Sequence, residues 1–221
     1  MQAPTDDNSI VLVRAAPVPG ETARGLHDAA DALRDCSGEV VVFFHGAGIE
    51  HATAAHLHDW QTLAGPSRLK LEVCSAAWQR RHTGTPSAPF ELSSLVRFWH
   101  RVARGDRVAG GGLDESGKAS PSGRWVVQID SGPAHPNSRE MLEMVLAGAS
   151  LELPITVLFS GDGRLHLVGE QACHWRQLVD FELARLCVLD DGDVEPELPV
   201  VTLDNEALDR LRERSAGLFL L

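Results

Sequence analysis

Two segments of the chain repeat one design, and that repetition limits the folds open to it. Val40-Val41-Val42-Phe43-Phe44-His45-Gly46-Ala47-Gly48-Ile49 and Ile155-Thr156-Val157-Leu158-Phe159-Ser160-Gly161-Asp162-Gly163-Arg164 each read as an apolar run of strand length followed by a G-x-G loop. A strand-like and then a helix-like segment precede each copy. The simplest organisation is an internal duplication of one α/β unit. The chain has 221 residues, enough for two domains of ordinary size, and its 43% apolar and 23% charged residues suit packed cores rather than disorder.

In the first copy, residues 9–15 form a β-branched run bounded by Pro17, Pro19 and Gly20. Residues 21–36 place Ala23, Leu26, Ala30 and Leu33 at helical spacing, residues 39–44 read as a strand, and residues 51–63 have helical spacing through Ala54, Leu57, Trp60 and Leu63. Residues 69–74 alternate Leu69, Leu71 and Val73 and predict a third strand with Cys74 at its carboxyl end. Residues 105–123 change to Gly110-Gly111-Gly112, Asp114-Glu115-Ser116-Gly117 and Ser120-Pro121-Ser122-Gly123, which is linker chemistry. Strands are then expected at 125–129, 155–159, 183–189 and 217–221. The accompanying helices fall at 138–150 with Ser138 as cap, at 175–181, and at 204–214 with Asp204 as N-cap. Strands alternating with helices imply parallel sheets covered on both faces. The expected architecture is α/β: two tandem domains, residues 1–109 and 124–221, each a mainly parallel sheet of about five strands flanked by helices and joined by a Gly/Ser-rich linker at 110–123.

Charge and hydropathy exclude some functions. Twenty basic against 31 acidic side chains leave a net charge of -11, and no basic cluster exceeds the Arg80-Arg81 pair, so direct nucleic-acid binding is disfavoured. Apolar stretches of about five residues fall far short of the roughly 20 a membrane span needs. Residues 1–7 carry Asp6 and Asp7 where a secretory signal carries Lys or Arg, so a cytoplasmic location is the expectation.

The remaining motifs have bland readings. Cys36, Cys74, Cys173 and Cys187 are widely separated without C-x-x-C spacing, as single thiols of a reducing compartment would be. His45, His51, His56 and His58 crowd together, but His51 and His56 are not an i, i+4 zinc pair, so they read as polar residues of a loop and an exposed helix face. Residues 191–197 alternate carboxylates like a calcium loop but carry Pro196 where the turn glycine belongs. The G-x-G loops lack the continuation of a dinucleotide site, and no G-x-S-x-G elbow occurs. No metal and no organic cofactor is expected.

A resemblance adds to this reading. Trp60-Gln61-Thr62-Leu63, Leu69-Lys70-Leu71-Glu72-Val73-Cys74-Ser75-Ala76-Ala77 and Arg80-Arg81 are similar to the persulfide-cysteine region of the DsrE/DsrF-like sulfur-relay family, in its TusD/DsrE branch. Phe43-Phe44-His45-Gly46-Ala47-Gly48-Ile49, Phe90-Glu91-Leu92-Ser93-Ser94-Leu95 and Asp106-Arg107-Val108 agree in order and spacing. The second half resembles the TusC/DsrF branch through Gly132-Pro133-Ala134-His135, Arg139-Glu140, Leu158-Phe159, Asp162-Gly163, Gln171, and Asp180-Phe181-Glu182 leading to Cys187. The chain thus looks like a D-like half fused to a C-like half. One departure is His82-Thr83 standing before Gly84, where the family has glycine directly after the arginine pair.

The resemblance implies a sulfur-relay protein that accepts sulfur as a persulfide on Cys74 and passes it to a carrier protein, for tRNA 2-thiouridine formation or sulfur oxidation. The alternative is a non-catalytic scaffold of a sulfur-transfer complex. Such chemistry needs an exposed, ionisable thiol, and Arg80, Arg81 and His82 are the candidates to tune it. Cys187, at a strand's end by this reading, takes a structural role, while Cys36 and Cys173 match no family cysteine. Implied partners are a TusA-like donor, a TusE/DsrC-like acceptor and a TusB/DsrH-like subunit. The two halves are expected to pack pseudo-symmetrically and the chain to form homo-oligomers.

Overall fold

The computed structural model describes residues 8–63, 65, 68–110, 123–190 and 194–221. These fall into two compact units that divide between residues 111 and 112. The linker expected at 110–123 lies, but for its ends, outside the described residues, as do residues 191–193 of the acidic loop.

Unit 1 runs β1 (Ser9–Val13), α1 (Pro19–Asp35), β2 (Val40–Phe44), a 3₁₀ helix (Gly46–Ala52), α2 (Leu57–Gln61), β3 (Leu69–Cys74), α3 (Ser75–Arg81), β4 (Phe90–Ser93), α4 (Leu95–Ala103) and β5 (Arg107–Gly110). Unit 2 runs β6 (Arg124–Ile129), α5 (Ser138–Ala149), β7 (Ile155–Phe159), a second 3₁₀ helix (Gly161–Leu167), α6 (Gly169–Asp180), β8 (Ala184–Leu189), β9 (Val201–Leu203), α7 (Asn205–Glu213) and β10 (Ser215–Leu220). The sheet orders are β4-β3-β2-β1-β5 and β10-β6-β7-β8-β9, and every pairing is parallel. Both orders describe one topology: four strands added in sequence, then a last strand on the far side of the first. The α/β class and the two five-stranded parallel sheets flanked by helices are as expected from the sequence.

Local chemistry explains the elements. β1, β2 and β7 are buried along their whole length, as strands covered on both faces must be. Pro19 opens α1, where its missing N–H costs nothing. Ser94 caps α4 by accepting from the Arg97 N–H at 3.1 Å, and Asp204 caps α7 by accepting from the Ala207 N–H at 2.7 Å. The duplication extends below the level of elements. Gly48 and Gly163 pack on the preceding first strand so closely that a Cβ would lie 2.2 Å from the Val13 carbonyl oxygen in one unit and 2.1 Å from that of Ile129 in the other. Phe44, His51 and Trp60 recur as Phe159, His166 and Trp175, with edge-on Phe–Trp contacts of 4.8 and 4.9 Å.

The structure corrects several boundaries. The helix expected at 51–63 is a 3₁₀ helix over Gly46–Ala52 followed by the short α2. The segment read as linker from residue 105 begins with β5, paired to β1, and β9 has no counterpart in the sequence reading. Helix α6 starts at Gly169 rather than at Trp175, and the N-cap of α5 is Asn137 rather than Ser138.

A buried ion pair ties α4 to the sheet. Arg101 donates to both carboxylate oxygens of Glu72 on β3, at 2.7 and 2.8 Å, and reaches Glu39 at 3.4 Å. Burial alone would raise the Glu72 carboxyl, but the Arg101 guanidinium outweighs it and holds the group below its usual range. The corresponding register position in unit 2 is Cys187, paired with Leu158 as Glu72 is with Phe43. There the same space is apolar, filled by Val126, Leu158, Leu203, Leu208 and Leu218. Removing one partner of a buried pair strands the other charge, so Arg101→Leu is expected to destabilise unit 1 by about 3–5 kcal/mol. The double variant Glu72→Leu/Arg101→Leu should recover most of that loss, as measured by denaturant unfolding.

Candidate functional site

The parallel registers line up the residues at the carboxyl edge of the unit 1 sheet. Val13 pairs with Phe44, Phe44 with Val73 and Val73 with Leu92. The next residues along, Arg14, His45, Cys74 and Ser93, therefore form one row across neighbouring strands about 4.8 Å apart. In an open parallel sheet this edge is where ligands and reactive groups gather.

Cys74 ends β3 and is at once the N-cap of α3, with no loop between strand and helix. This elbow places the thiol where the helix dipole favours an anion. The expectation of an open thiol is not met: Cys74 is only 1% exposed. The reason is structural, since the residue is the last of a strand paired on both sides rather than part of a projecting loop.

The three tuning candidates share one place in the fold. Arg80, Arg81 and His82 lie at the far end of α3, roughly 10 Å along its axis from Cys74. The Arg81 guanidinium donates to the Gly46 carbonyl and so ties α3 to the loop after β2. His82 sits 3.1 Å from Glu50 and stacks on Trp78 with ring centroids 4.3 Å apart. These contacts tie the end of α3 to the 3₁₀ helix that carries Glu50.

The histidines also differ from their reading as loop and surface residues, because His45 and His51 are fully buried. The Trp60 indole N–H donates to His51 Nδ1 at 3.2 Å, so that nitrogen carries no proton. Burial pushes the His51 pKa from its usual 6.5 down to about 4, and burial likewise lowers His166. The His166 Nε2–H donates to the Ser131 carbonyl at 3.2 Å. His45 is lowered well below the usual value, first by burial and then by the charges of Arg14, Arg80 and Arg81. Neither of its ring nitrogens has a hydrogen-bond partner. His45 was not singled out from the sequence as a candidate site residue. The available signal was its place one residue past β2, in register with Cys74. Among the described residues no group of His, Cys, Asp and Glu side chains has a metal-binding arrangement.

Unit 2 repeats the edge with different side chains. By register its row reads Asp130, Ser160, Leu189 and Leu203. Leu189, not Cys187, takes the place of Cys74. Cys187 is the fourth residue of β8 rather than its end, and burial raises its thiol pKa. It borders a cavity of about 300 Å³ lined also by Arg124, Arg185, Arg210 and Arg214, yet the net shift still favours the neutral thiol. Cys36 is the C-cap of α1, and Cys173 lies within α6 rather than before it.

Unit 1 is thus an all-parallel α/β unit with a cysteine at a strand-to-helix elbow on its carboxyl edge. Residues 8–108, nearly all that is described of unit 1, match the DsrE/DsrF-like family model. No curated protein matches the chain. No helix among the described residues is long and apolar enough to cross a membrane.

The buried histidines make stability depend on pH. For His51 the folded pKa lies below the unfolded one, so the unfolded chain takes up a proton between about 6.5 and 4 that the folded chain refuses. Its contribution is complete above pH 6.5 and is lost as pH falls. A shift of this size corresponds to on the order of 3 kcal/mol at the acid limit. Unfolding free energy should therefore fall between pH 7 and pH 4.5, and His51→Gln should show a shallower slope over that interval in denaturant titrations.

Proposed function

We propose that the chain is a sulfur-relay protein in which unit 1 accepts sulfur as a persulfide on Cys74 and hands it on. The observation that carries this reading is the placement of Cys74, within the segment matching the DsrE/DsrF-like family, at the β3–α3 elbow of a carboxyl edge bearing Arg14 and His45. The thiolate attacks a donor's outer sulfur, and the resulting persulfide later offers that sulfur to an acceptor thiol. Unit 2 has the same fold with Leu189 at the equivalent position and serves as a binding and assembly domain. In this reading the chain joins a TusD/DsrE-like unit to a TusC/DsrF-like unit, and the fusion fixes their ratio at one to one with a high effective concentration.

The finer parts are proposals of the same kind: a cytoplasmic homo-oligomer, a TusA-like donor, a TusE/DsrC-like acceptor, a TusB/DsrH-like third subunit, and a destination in tRNA thiolation or sulfur oxidation. The burial of Cys74 favours a second reading, in which the chain is a scaffold whose thiol stays idle.

One measurement separates the two. Incubating the full chain with cysteine hydropersulfide and weighing it intact should show a gain of one sulfur atom that Cys74→Ser abolishes. A protein whose mass does not change, or whose gain survives Cys74→Ser, leaves only the scaffold reading.

A further inference from the structure

His45 presents a physical problem that the persulfide reading does not resolve. It is fully enclosed, and Nδ1 and Nε2 both go without a hydrogen-bond partner. Leaving a buried polar group unsatisfied costs about 1–3 kcal/mol, and in native proteins such a group signals a ligand, ion or water at that place. What surrounds the imidazole is positive charge. Arg14 is the next residue after β1, the strand beside β2, and its backbone lies against Gly48 of the loop that His45 begins. Arg81 holds the carbonyl of Gly46 in the same loop, and the charges of Arg14, Arg80 and Arg81 all act on the ring. An imidazole N–H and guanidinium groups are donors that an anion satisfies together, by charge-assisted hydrogen bonds.

We propose that His45, Arg14 and the α3 arginines form a binding site for a small sulfur oxyanion, thiosulfate, held with its outer sulfur toward Cys74. The inference rests on the persulfide reading of Cys74 and names its donor class. Burial favours a small donor: at a thiol 1% exposed, beside an imidazole 0% exposed, a compact dianion makes a smaller steric demand than the cysteine of a TusA-like donor protein, and the exposed Arg80 and Arg81 give it a charged approach. The step balances without an oxidant or reductant. Cys74 ionises and its proton leaves to solvent. The thiolate attacks the outer sulfur of thiosulfate, the new Sγ–S bond forms as the S–S bond of thiosulfate breaks, and sulfite departs with the electron pair.

The test incubates the full chain with thiosulfate and follows intact mass and released sulfite. The expected result is one sulfur gained per chain and one sulfite released, with His45→Leu at least tenfold slower and His45→Gln, which keeps an N–H donor, in between. Loading of His45→Leu by cysteine hydropersulfide should match that of the unsubstituted chain. Equal thiosulfate rates for the unsubstituted chain and His45→Leu overturn the site. Loading by cysteine hydropersulfide but not by thiosulfate overturns this inference and leaves the persulfide reading intact, whereas loading by neither overturns both. Should His45→Leu fail to fold, competition decides. Sulfate should slow thiosulfate loading and leave hydropersulfide loading unchanged, and a lack of competition overturns the site.

Discussion

The structure depends on close backbone contact where the chain leaves β2 and turns over the end of β1. The His45 N–H donates to the Val13 carbonyl at 2.9 Å, and Gly48 packs where any side chain would collide with that same carbonyl. The contact recurs in unit 2, where the Ser160 N–H donates to the Ile129 carbonyl at 3.0 Å and Gly163 makes the close approach. It fixes where the 3₁₀ helix begins and therefore how far the residue after the strand can move. In unit 1 that residue is an imidazole with charged neighbours, and in unit 2 it is a serine whose hydroxyl accepts from the Gln128 amide at 3.0 Å. One backbone device thus serves both units, which differ in the side chain placed on it.

Unit 1 tolerates buried polarity in two different ways. Glu72 and Arg101 satisfy each other with two short hydrogen bonds, so their desolvation is offset locally and α4 is fixed in one orientation. His45 has no such offset, and its neutrality is enforced by burial and by neighbouring cations. In unit 2 the first feature is replaced by Cys187 in an apolar cluster and the second by a satisfied serine. Both units bury polar groups, among them His45, Glu72 and Arg101 in unit 1 and Glu140, Thr156 and Arg164 in unit 2, so the units differ in which groups stand at these two positions and not in how much polarity they bury.

The fold was legible in the sequence because both sheets are made of continuous apolar runs with clear stops, such as residues 40–44 before His45-Gly46 and residues 155–159 before Ser160-Gly161. Asp204 was legible as a cap because its carboxylate needs only the local backbone. β5 and β9 were not, since four- and three-residue edge strands bury too little to show a periodicity and owe their conformation to β1 and β8. A regular helix was expected over residues 51–63 because Ala54, Leu57 and Trp60 stand at helical spacing, whereas the chain there is the end of a 3₁₀ helix, a turn over residues 53–56 and the short α2. At the site, Cys74 was found at the strand end by pattern alone. Its burial and its alignment with His45 depend on strands β2 and β4 pairing on either side, information that no local window contains.

In the proposed relay the burial of Cys74 raises a question of reach, and bond lengths bear on it. An S–S bond of about 2.05 Å carries the transferable sulfur of a persulfide further from the Cys74 backbone than the thiol itself extends. Loading and unloading at Cys74 therefore need not have the same steric demands. A small anion makes the lesser steric demand in loading, while the outer sulfur of the loaded form lies nearer to whatever acceptor approaches the carboxyl edge. The arginines that would hold a dianion would also favour the persulfide anion left behind once sulfite departs, so the same charges serve capture and storage. The departing dianion would remove two negative charges from the edge, and release would leave the cations to the single charge of the persulfide. In that order of events the burial of Cys74 selects the donor by size, and unit 2, with Leu189 in the equivalent place, has no sulfur at that position to compete for it.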